Sequence, residues 1–382
     1  MKRKILVTTG IRAEYGILRP VLQAIQKSKK LELYLVVTGT HLSKKHGMTI
    51  NEIKRDGFQI TATIEMMPKN DTLYSMSKKL GEGIVAFSEI IHKLKPHVNL
   101  VLGDRDEMLA SAIAAYHMNI PNVHIHGGDK SRGIDEYNRH AITKMSNIHF
   151  VATKKSKERV IRMGEDPKRV FLTGSPSIDE IISGKISNKK ELEKQYKIKF
   201  TGKEILLVQH PVTTQAEFSE KQIRQTLDAI VKIGNTTIAI SPNSDAGNKA
   251  IFKYLKLFSS KYDFIRMYAS LPRSDYLGMI KNCGVLVGNS SSGMIEASYF
   301  QTPVVNIGIR QEGRERGKSV FDVKEDSTKS IYYAILKALK MRKCIKTSRD
   351  YVYGYGKASK KIVRCLEKIN FNKDLIQKQI VY

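Results

Sequence analysis

The segment VLVGNSSSGMIEAS, residues 285–298, holds the residue pattern best suited to gripping an anion. An apolar run ends in Gly288, the hydroxyls of Ser290, Ser291 and Ser292 follow, Gly293 allows close backbone approach, and helical spacing continues beyond it. Unpaired N–H groups and partial positive charge at a helix start favour an exposed anion by ~0.3–1 kcal/mol and suit a diphosphate. An ordinary serine N-cap is the plainer alternative. Glu296, about one turn on, could accept hydrogen bonds from ribose hydroxyls. No GxxxxGK[ST] loop occurs, nor a GxGxxG after the first apolar run, which weighs against kinase, NTPase and ordinary dehydrogenase chemistry.

Guanidinium groups stand at two further turns. Arg12 lies in TTGIRAEYG, residues 8–16, and Arg310, Arg314 and Arg316 lie in NIGIRQEGRERGKS. Their fork geometry suits phosphate oxygens, although a structural turn and a solvated loop would read the same way. His124-Ile125-His126 puts two imidazoles on one face of a strand, near Asp129. A metal would want another ligand at defined spacing and none presents itself, so no metal and no cofactor is expected. One structural histidine and one cleft-facing histidine is the better reading. Asp104, Asp106 and Glu107, then Asp129, Asp135 and Glu136, bring carboxylates towards one rim. Close carboxylates in a partly dry cleft repel, which raises one pKa and separates acid from base. Asp106 and Glu107 also read as helix N-terminal acids, whereas Asp104, directly after a glycine, looks functional.

These groups need a scaffold that brings strand ends together. Short β-rich runs alternate with helical spacing: Ile5–Thr8, Leu33–Val37, Val98–Leu102, Val123–Ile125, His149–Ala152 and Val170–Leu172, with helical stretches such as Leu18–Gln26 and Met108–Tyr116 between them. The rhythm stalls over 183–203 and restarts with Ile205–Val208, Thr236–Ile240, Phe264–Met267, Val285–Val287 and Val304–Asn306. Such alternation predicts α/β architecture, two doubly wound Rossmann-like domains facing one central cleft. The expected division is 1–180, carrying the acid/base residues, 181–360, binding the nucleotide, and a helical tail over 361–382 packing back on the first domain. Ligands bind beyond the carboxyl ends of such strands, where Gly10-Ile11-Arg12, Gly103-Asp104, His210-Pro211, Pro242-Asn243 and Asn289-Ser290 all fall.

The composition bounds what such a protein does. Its 382 residues carry 65 Lys and Arg against 37 Asp and Glu, a formal charge of +28, which favours anionic ligands. The lysines are scattered and no nucleic-acid module accompanies them, so nucleic acid is not the expected partner. No apolar stretch reaches the ~18 residues of a membrane span, and the first apolar run is too short for a signal peptide. A cytoplasmic protein without membrane partners is expected. Cys283, Cys344 and Cys365 show no CxxC spacing and read as free thiols.

Taken together, TGIRAEYG at 9–16, VTGTHL at 37–42, GDRDEMLASAIAA at 103–115, HIHGGD at 124–129, DEYNRHAITKMSNIHF at 135–150, GSPSID at 174–179, QHPVTT at 209–214, SPNSDAG at 241–247, GNSSSGMIEAS at 288–298 and NIGIRQEGR at 306–314 resemble the hydrolysing UDP-N-acetylglucosamine 2-epimerases. The resemblance runs from about Met1 to Val320. It implies a glycogen-phosphorylase-type (GT-B) fold, a UDP-sugar substrate and a homodimer. It further implies that His210 and Ser290 to Ser292 contact the diphosphate, with Glu296 on the ribose, Arg12 reaching from the first domain, and Leu271-Pro272 near the uracil. Asp104 and Asp135 match acidic positions of catalysis. Two departures stand out, His126 where several relatives carry Glu and Asp129 where many hydrolysing relatives carry Glu. The implied reaction converts UDP-N-acetylglucosamine and water to N-acetylmannosamine and UDP through 2-acetamidoglucal. Asp104 or His126 would take the C2 proton and Asp135 would return one, with a hinge near 175–184 closing the cleft. The alternatives are the same reaction on a 2,4-diacetamido-2,4,6-trideoxyhexose linked to UDP or GDP and, from another class, a basic nucleic-acid-binding protein.

Overall fold

The computed structural model describes residues 2–184, 186–324, 327–344, 351–370 and 373–381. The first lobe is built on seven parallel strands, β1 (Arg3–Thr9), β2 (Leu31–Thr38), β3 (Ile60–Ile64), β4 (Val98–Leu102), β5 (Asn122–Ile125), β6 (Ser146–Val151) and β7 (Val170–Leu172), in the order β3-β2-β1-β4-β5-β6-β7. The second is built on six, β8 (Ile205–Val208), β9 (Thr237–Ile240), β10 (Ile265–Tyr268), β11 (Val285–Gly288), β12 (Val304–Ile307) and β13 (Val320–Val323), in the order β10-β9-β8-β11-β12-β13. Both are doubly wound sheets, the architecture expected of the chain.

Strands buried on both faces read as continuous apolar runs. In the second sheet Leu206, Val208, Leu286 and Val304 pack into one layer, while Ile205, Leu207, Val285, Val287 and Val305 pack into the opposite one. The first sheet does the same, with Ile5, Val7, Leu35 and Val37 on one face and Leu6 and Val36 on the other. The two strands absent from the sequence reading are β3 and β13. Each lies at a sheet edge, half exposed, so that ITATI and VFDV carry polar residues where an interior strand would not.

One expectation requires correction. The stalled stretch 183–203 contains the helix Lys189–Tyr196, closed by a capping box between Asn188 and Glu191. Its mean hydropathy is low because only Leu192 and Tyr196 are buried. The segment 175–184, where a hinge is expected, holds the helix Pro176–Ser183, capped by Ser175 and packed through the buried Ile178 and Ile181.

Near the end of the chain the helix Ala358–Lys368 returns to the first lobe, beginning a little before the expected boundary at 361. Its Ile362, Val363 and Leu366, with Leu375, join the core formed by Ile5, Leu22, Leu31 and Val98. Asp179 caps it by accepting from the N–H groups of Ala358 (2.8 Å) and Ser359 (2.6 Å). Buried Glu165 secures the last residues, accepting from Lys144 Nζ and Lys378 Nζ (2.6 Å each) and from His149 Nε2 (3.1 Å). Burial disfavours its charge, but these donors prevail and hold Glu165 down at about 2.

Candidate active site

In a doubly wound sheet the crevice opens where the strand order reverses. The reversals fall between β1 and β4 in the first sheet and between β8 and β11 in the second. One cavity spans the two, lined by Arg12, Asp104, His126 and Asp135 from the first lobe and by His210, Asn243, Leu271, Ser290, Ser291, Ser292, Glu296, Arg310 and Arg314 from the second. These thirteen candidates from the sequence therefore meet one space, whereas Asp106, Glu107, Asp129, Glu136 and Arg316 do not line it.

The serine end is shaped by Gly288. Its φ of +127° is glycine territory, and a Cβ there would lie 2.1 Å from the Val208 carbonyl oxygen. The chain can thus turn sharply out of β11 against β8. Asn289 then ties the two strand ends, its Oδ1 accepting from the His210 N–H (2.7 Å) and its Nδ2 donating to the His210 carbonyl (2.8 Å). Ser290 caps a single turn, Ser291–Met294, which gives way at Ile295 to a second short helix, Glu296–Phe300. The single continuous helix expected here is broken in two. His210 is kept neutral, its pKa pushed down to about 3 first by burial and next by Arg310. Its Nδ1 accepts from the Asn243 N–H (3.1 Å), so Nε2 carries the proton and is a neutral donor. Glu296 Oε1 is held by Arg273 Nη2 (2.7 Å) and Ser177 Oγ (2.6 Å), whereas Oε2 is buried without a partner among the described residues. A buried carboxylate oxygen left open in a cavity wall is matched to hydroxyl donors from a ligand. Arg12 is braced by Glu52 at 2.7 Å.

On the first-lobe side of the cavity, two carboxylates are driven apart in character. Asp104 bonds to Arg139. Burial works against its charge, but Arg139, Arg314 and Arg310 outweigh it and hold the carboxyl below its ordinary value. Asp135 is pushed up to about 7, first by burial and then by the charge of Asp104, against the pull of Arg310 at 3.0 Å. Near neutral pH the pair therefore comprises one dependable base and one group that still holds a proton.

The histidine pair divides as expected. His124 lies wholly inside, bonded to Thr143 Oγ1 (3.1 Å) and to the Gly103 carbonyl (2.7 Å), and burial lowers it to about 3. His126 reaches the cavity, but both of its nitrogens are occupied, Nδ1 by Asp129 Oδ2 (3.1 Å) and Nε2 by Ser175 Oγ (3.0 Å). Asp129 is fully buried and does not line the cavity.

Several lining residues escaped the sequence reading. Arg139 follows Asp135 by one helical turn in DEYNRH, yet serves Asp104 from 35 positions away. Arg273 directly follows the Leu271-Pro272 pair and holds Glu296. Arg105, beside Asp104, joins the lobes through Asp245 at 2.6 Å. Tyr276 shares its hydroxyl with Ser292. Glu14, inside the TGIRAEYG motif, is raised well above the usual carboxylate range by burial and by Glu107. Composition gave no sign of these pairings; only adjacency to motifs could have.

Comparison with known proteins matches this arrangement. A family model described as UDP-N-acetylglucosamine 2-epimerase matches residues 23–367. A Legionella pneumophila protein named UDP-N,N'-diacetylbacillosamine 2-epimerase (hydrolyzing) is 40% identical over 385 residues, covering 100% of both chains. A Campylobacter jejuni protein named GDP/UDP-N,N'-diacetylbacillosamine 2-epimerase (hydrolyzing) is 36% identical over 324 residues, 84% of each chain. The fold is shared with the crystal structure of UDP-GlcNAc 2-epimerase from Neisseria meningitidis bound to UDP-GlcNAc, at TM-score 0.79 and 20% identity, over 96% of this chain and 100% of that one. With nine-tenths of its length inside the family's pattern and the GT-B architecture in place, the chain belongs to the UDP-N-acetylglucosamine 2-epimerase family.

Proposed function

We propose that the protein is a hydrolysing nucleotide-sugar 2-epimerase, releasing UDP and a C2-inverted free 2-acetamido sugar. The observation that carries this reading is the meeting in one cavity of Asp104 and Asp135, the first held below its ordinary value and the second raised to about 7, with Glu296 and the Ser290 to Ser292 turn.

The chemistry follows from the substrate. A C2–H beside an acetamido group is barely acidic, and a positioned base alone gains only ~10²–10⁴-fold. Departure of the diphosphate from C1 with the C1–O electron pair makes C2–H acidic. Asp104 takes that proton, the C1–C2 double bond forms, and 2-acetamidoglucal results. His210 Nε2–H, Arg310 and the serine hydroxyls meet the charge developing on the leaving oxygens. Asp135 then delivers its proton to C2 from the opposite face while water supplies hydroxide to C1. The proton released from water restores Asp135, and the one on Asp104 passes to solvent, so the sum is one water consumed per UDP released.

The sequence placed UDP-N-acetylglucosamine first as substrate. The two relatives at 40% and 36% identity favour the alternative, a 2,4-diacetamido-2,4,6-trideoxyhexose linked to UDP or GDP. Incubation with each donor in deuterated water, followed by ¹H and ³¹P NMR, tests this. The expected result is UDP together with a free sugar inverted at C2 and deuterated there, formed faster from the diacetamido donor. UDP release without deuterium at C2 would refute elimination, and faster turnover of UDP-N-acetylglucosamine would reverse the substrate order.

A further inference from the structure

Asp104 and Glu296 line one cavity from different lobes, and hydrogen bonds join their surroundings. Ser177 Oγ donates to Glu296 Oε1 at 2.6 Å. The Ser177 N–H donates to Ser175 Oγ at 3.2 Å. Ser175 Oγ meets His126 Nε2 at 3.0 Å, and His126 Nδ1 meets Asp129 Oδ2 at 3.1 Å. The same Asp129 oxygen accepts from Arg314 Nη2 at 2.9 Å.

The directions are set by the chemistry of the ends. A carboxylate only accepts, so Nδ1 of His126 carries a proton towards Asp129, while Nε2 is engaged by the Ser175 hydroxyl. Ser175 Oγ in turn accepts from the Ser177 amide, and the Ser177 hydroxyl points to Glu296. No donor is left on His126 for a substrate. Arg314, at the end of the chain, is one of the cations that keep Asp104 ionised. The backbone at His126 has φ +68°, a conformation that a non-glycine residue adopts only where its surroundings hold it.

We propose that His126 is a positioning residue, and that the path Glu296–Ser177–Ser175–His126–Asp129–Arg314 ties the ribose-binding carboxylate to the placing of the Arg314 guanidinium in the cavity that Asp104 also lines. This rests on the functional reading above. Ribose binding at Glu296 then favours the arrangement in which Asp129 holds Arg314, so this cation is in place when a nucleotide is seated. It also explains how a histidine stands at this position without taking part in proton transfer.

The test compares Ser175→Ala, Ser175→Thr and His126→Asn with the unaltered enzyme, using the donor that the latter turns over. Ser175→Ala removes the hydroxyl while leaving Arg273 to hold Glu296. Its kcat is expected to fall about tenfold or more, with KM within about threefold, since the contacts to the nucleotide remain. The acid limb of kcat/KM is expected to move to higher pH, because a loosened Arg314 no longer depresses Asp104 fully. Ser175→Thr, which keeps the hydroxyl, is expected to restore both. His126→Asn should resemble Ser175→Ala. An unchanged kcat and pH profile in Ser175→Ala and His126→Asn would overturn the proposal. So would equal losses in the alanine and threonine variants, which indicate packing alone. Should one variant fail to fold, UDP-dependent protection of amides 126–139 from hydrogen exchange is compared in Ser177→Ala; protection equal to that of the unaltered protein overturns the coupling. If the unaltered protein neither binds UDP nor turns over a donor, the functional reading itself fails, an outcome distinct from these.

Discussion

Replacing Arg310 by glutamine should make the enzyme tolerate more alkaline conditions even as it weakens catalysis. Arg310 Nη2 lies 3.0 Å from Asp135 Oδ2 and opposes the burial and the Asp104 charge that raise Asp135 to about 7. Unit charges about 4 Å apart at an effective dielectric of ~20 interact by ~4 kcal/mol, an upper figure. A nearby opposite charge ordinarily moves a carboxyl by ~1–3 units, so removing this one should raise Asp135 by ~1–2. As general acid, Asp135 works only while protonated, and activity is lost as pH rises through its pKa. The basic limb of kcat/KM, which reports the free enzyme, should therefore lie near 7 in the unaltered protein and at ~8–9 in Arg310→Gln. The amplitude should also drop through the lost contact to the leaving group, but the limb's position does not depend on amplitude. UDP release measured by a coupled assay from pH 5 to 10 gives both. A limb that stays in place, or moves towards acid, refutes the assignment of Asp135 as the proton donor.

Glu296→Gln exchanges an open carboxylate oxygen for an amide and should weaken UDP binding ~10–100-fold by calorimetry, in line with ~1.5–3 kcal/mol for a hydrogen bond to a charged group. Gly288→Ala would force a Cβ against the Val208 carbonyl and should lower the melting temperature and abolish UDP binding; an alanine variant of native stability contradicts the proposed turn. Glu165→Gln strips the carboxylate from Lys144, Lys378 and His149 and should destabilise the protein by ~3–5 kcal/mol in urea titration. Because Glu165 is depressed to about 2 from an ordinary 4.5, its contribution is complete above 4.5 and disappears as pH falls through about 2. Acid denaturation of the unaltered protein should therefore show a loss in that window that Glu165→Gln lacks.

How much of this was legible in the sequence depended on how local the cause was. Interior strands such as Val285–Gly288 and Ile205–Val208 declare themselves because burial on both faces demands an unbroken apolar run. Edge strands Ile60–Ile64 and Val320–Val323 face solvent in part and lose that signature. The cleft residues were findable because doubly wound sheets place ligands beyond strand ends, and the glycines there mark the turns. The partners of those residues were not. Arg139 reaches Asp104 and Arg273 reaches Glu296 only after folding sets distant segments side by side, and no spacing rule encodes that. The serine segment shows a subtler limit: its hydroxyls announce a cap, but not that the helix breaks at Ile295.

The return of the helix Ala358–Lys368 to the first lobe bears on how the protein is made. Ile362, Val363, Leu366 and Leu375 complete a core whose other members, Ile5, Leu22, Leu31 and Val98, leave the ribosome some 260 residues or more earlier. The lobe translated first is thus finished last, and until residues 358–381 emerge, a greasy face of the helix Arg12–Lys27 stays uncovered. The later lobe, whose sheet spans 205–323, can close around itself in the meantime. Premature termination or slow synthesis near the 3′ end of the message would then leave a half-finished partner with sticky surface beside an already folded one, which makes the nascent chain a natural client for chaperones.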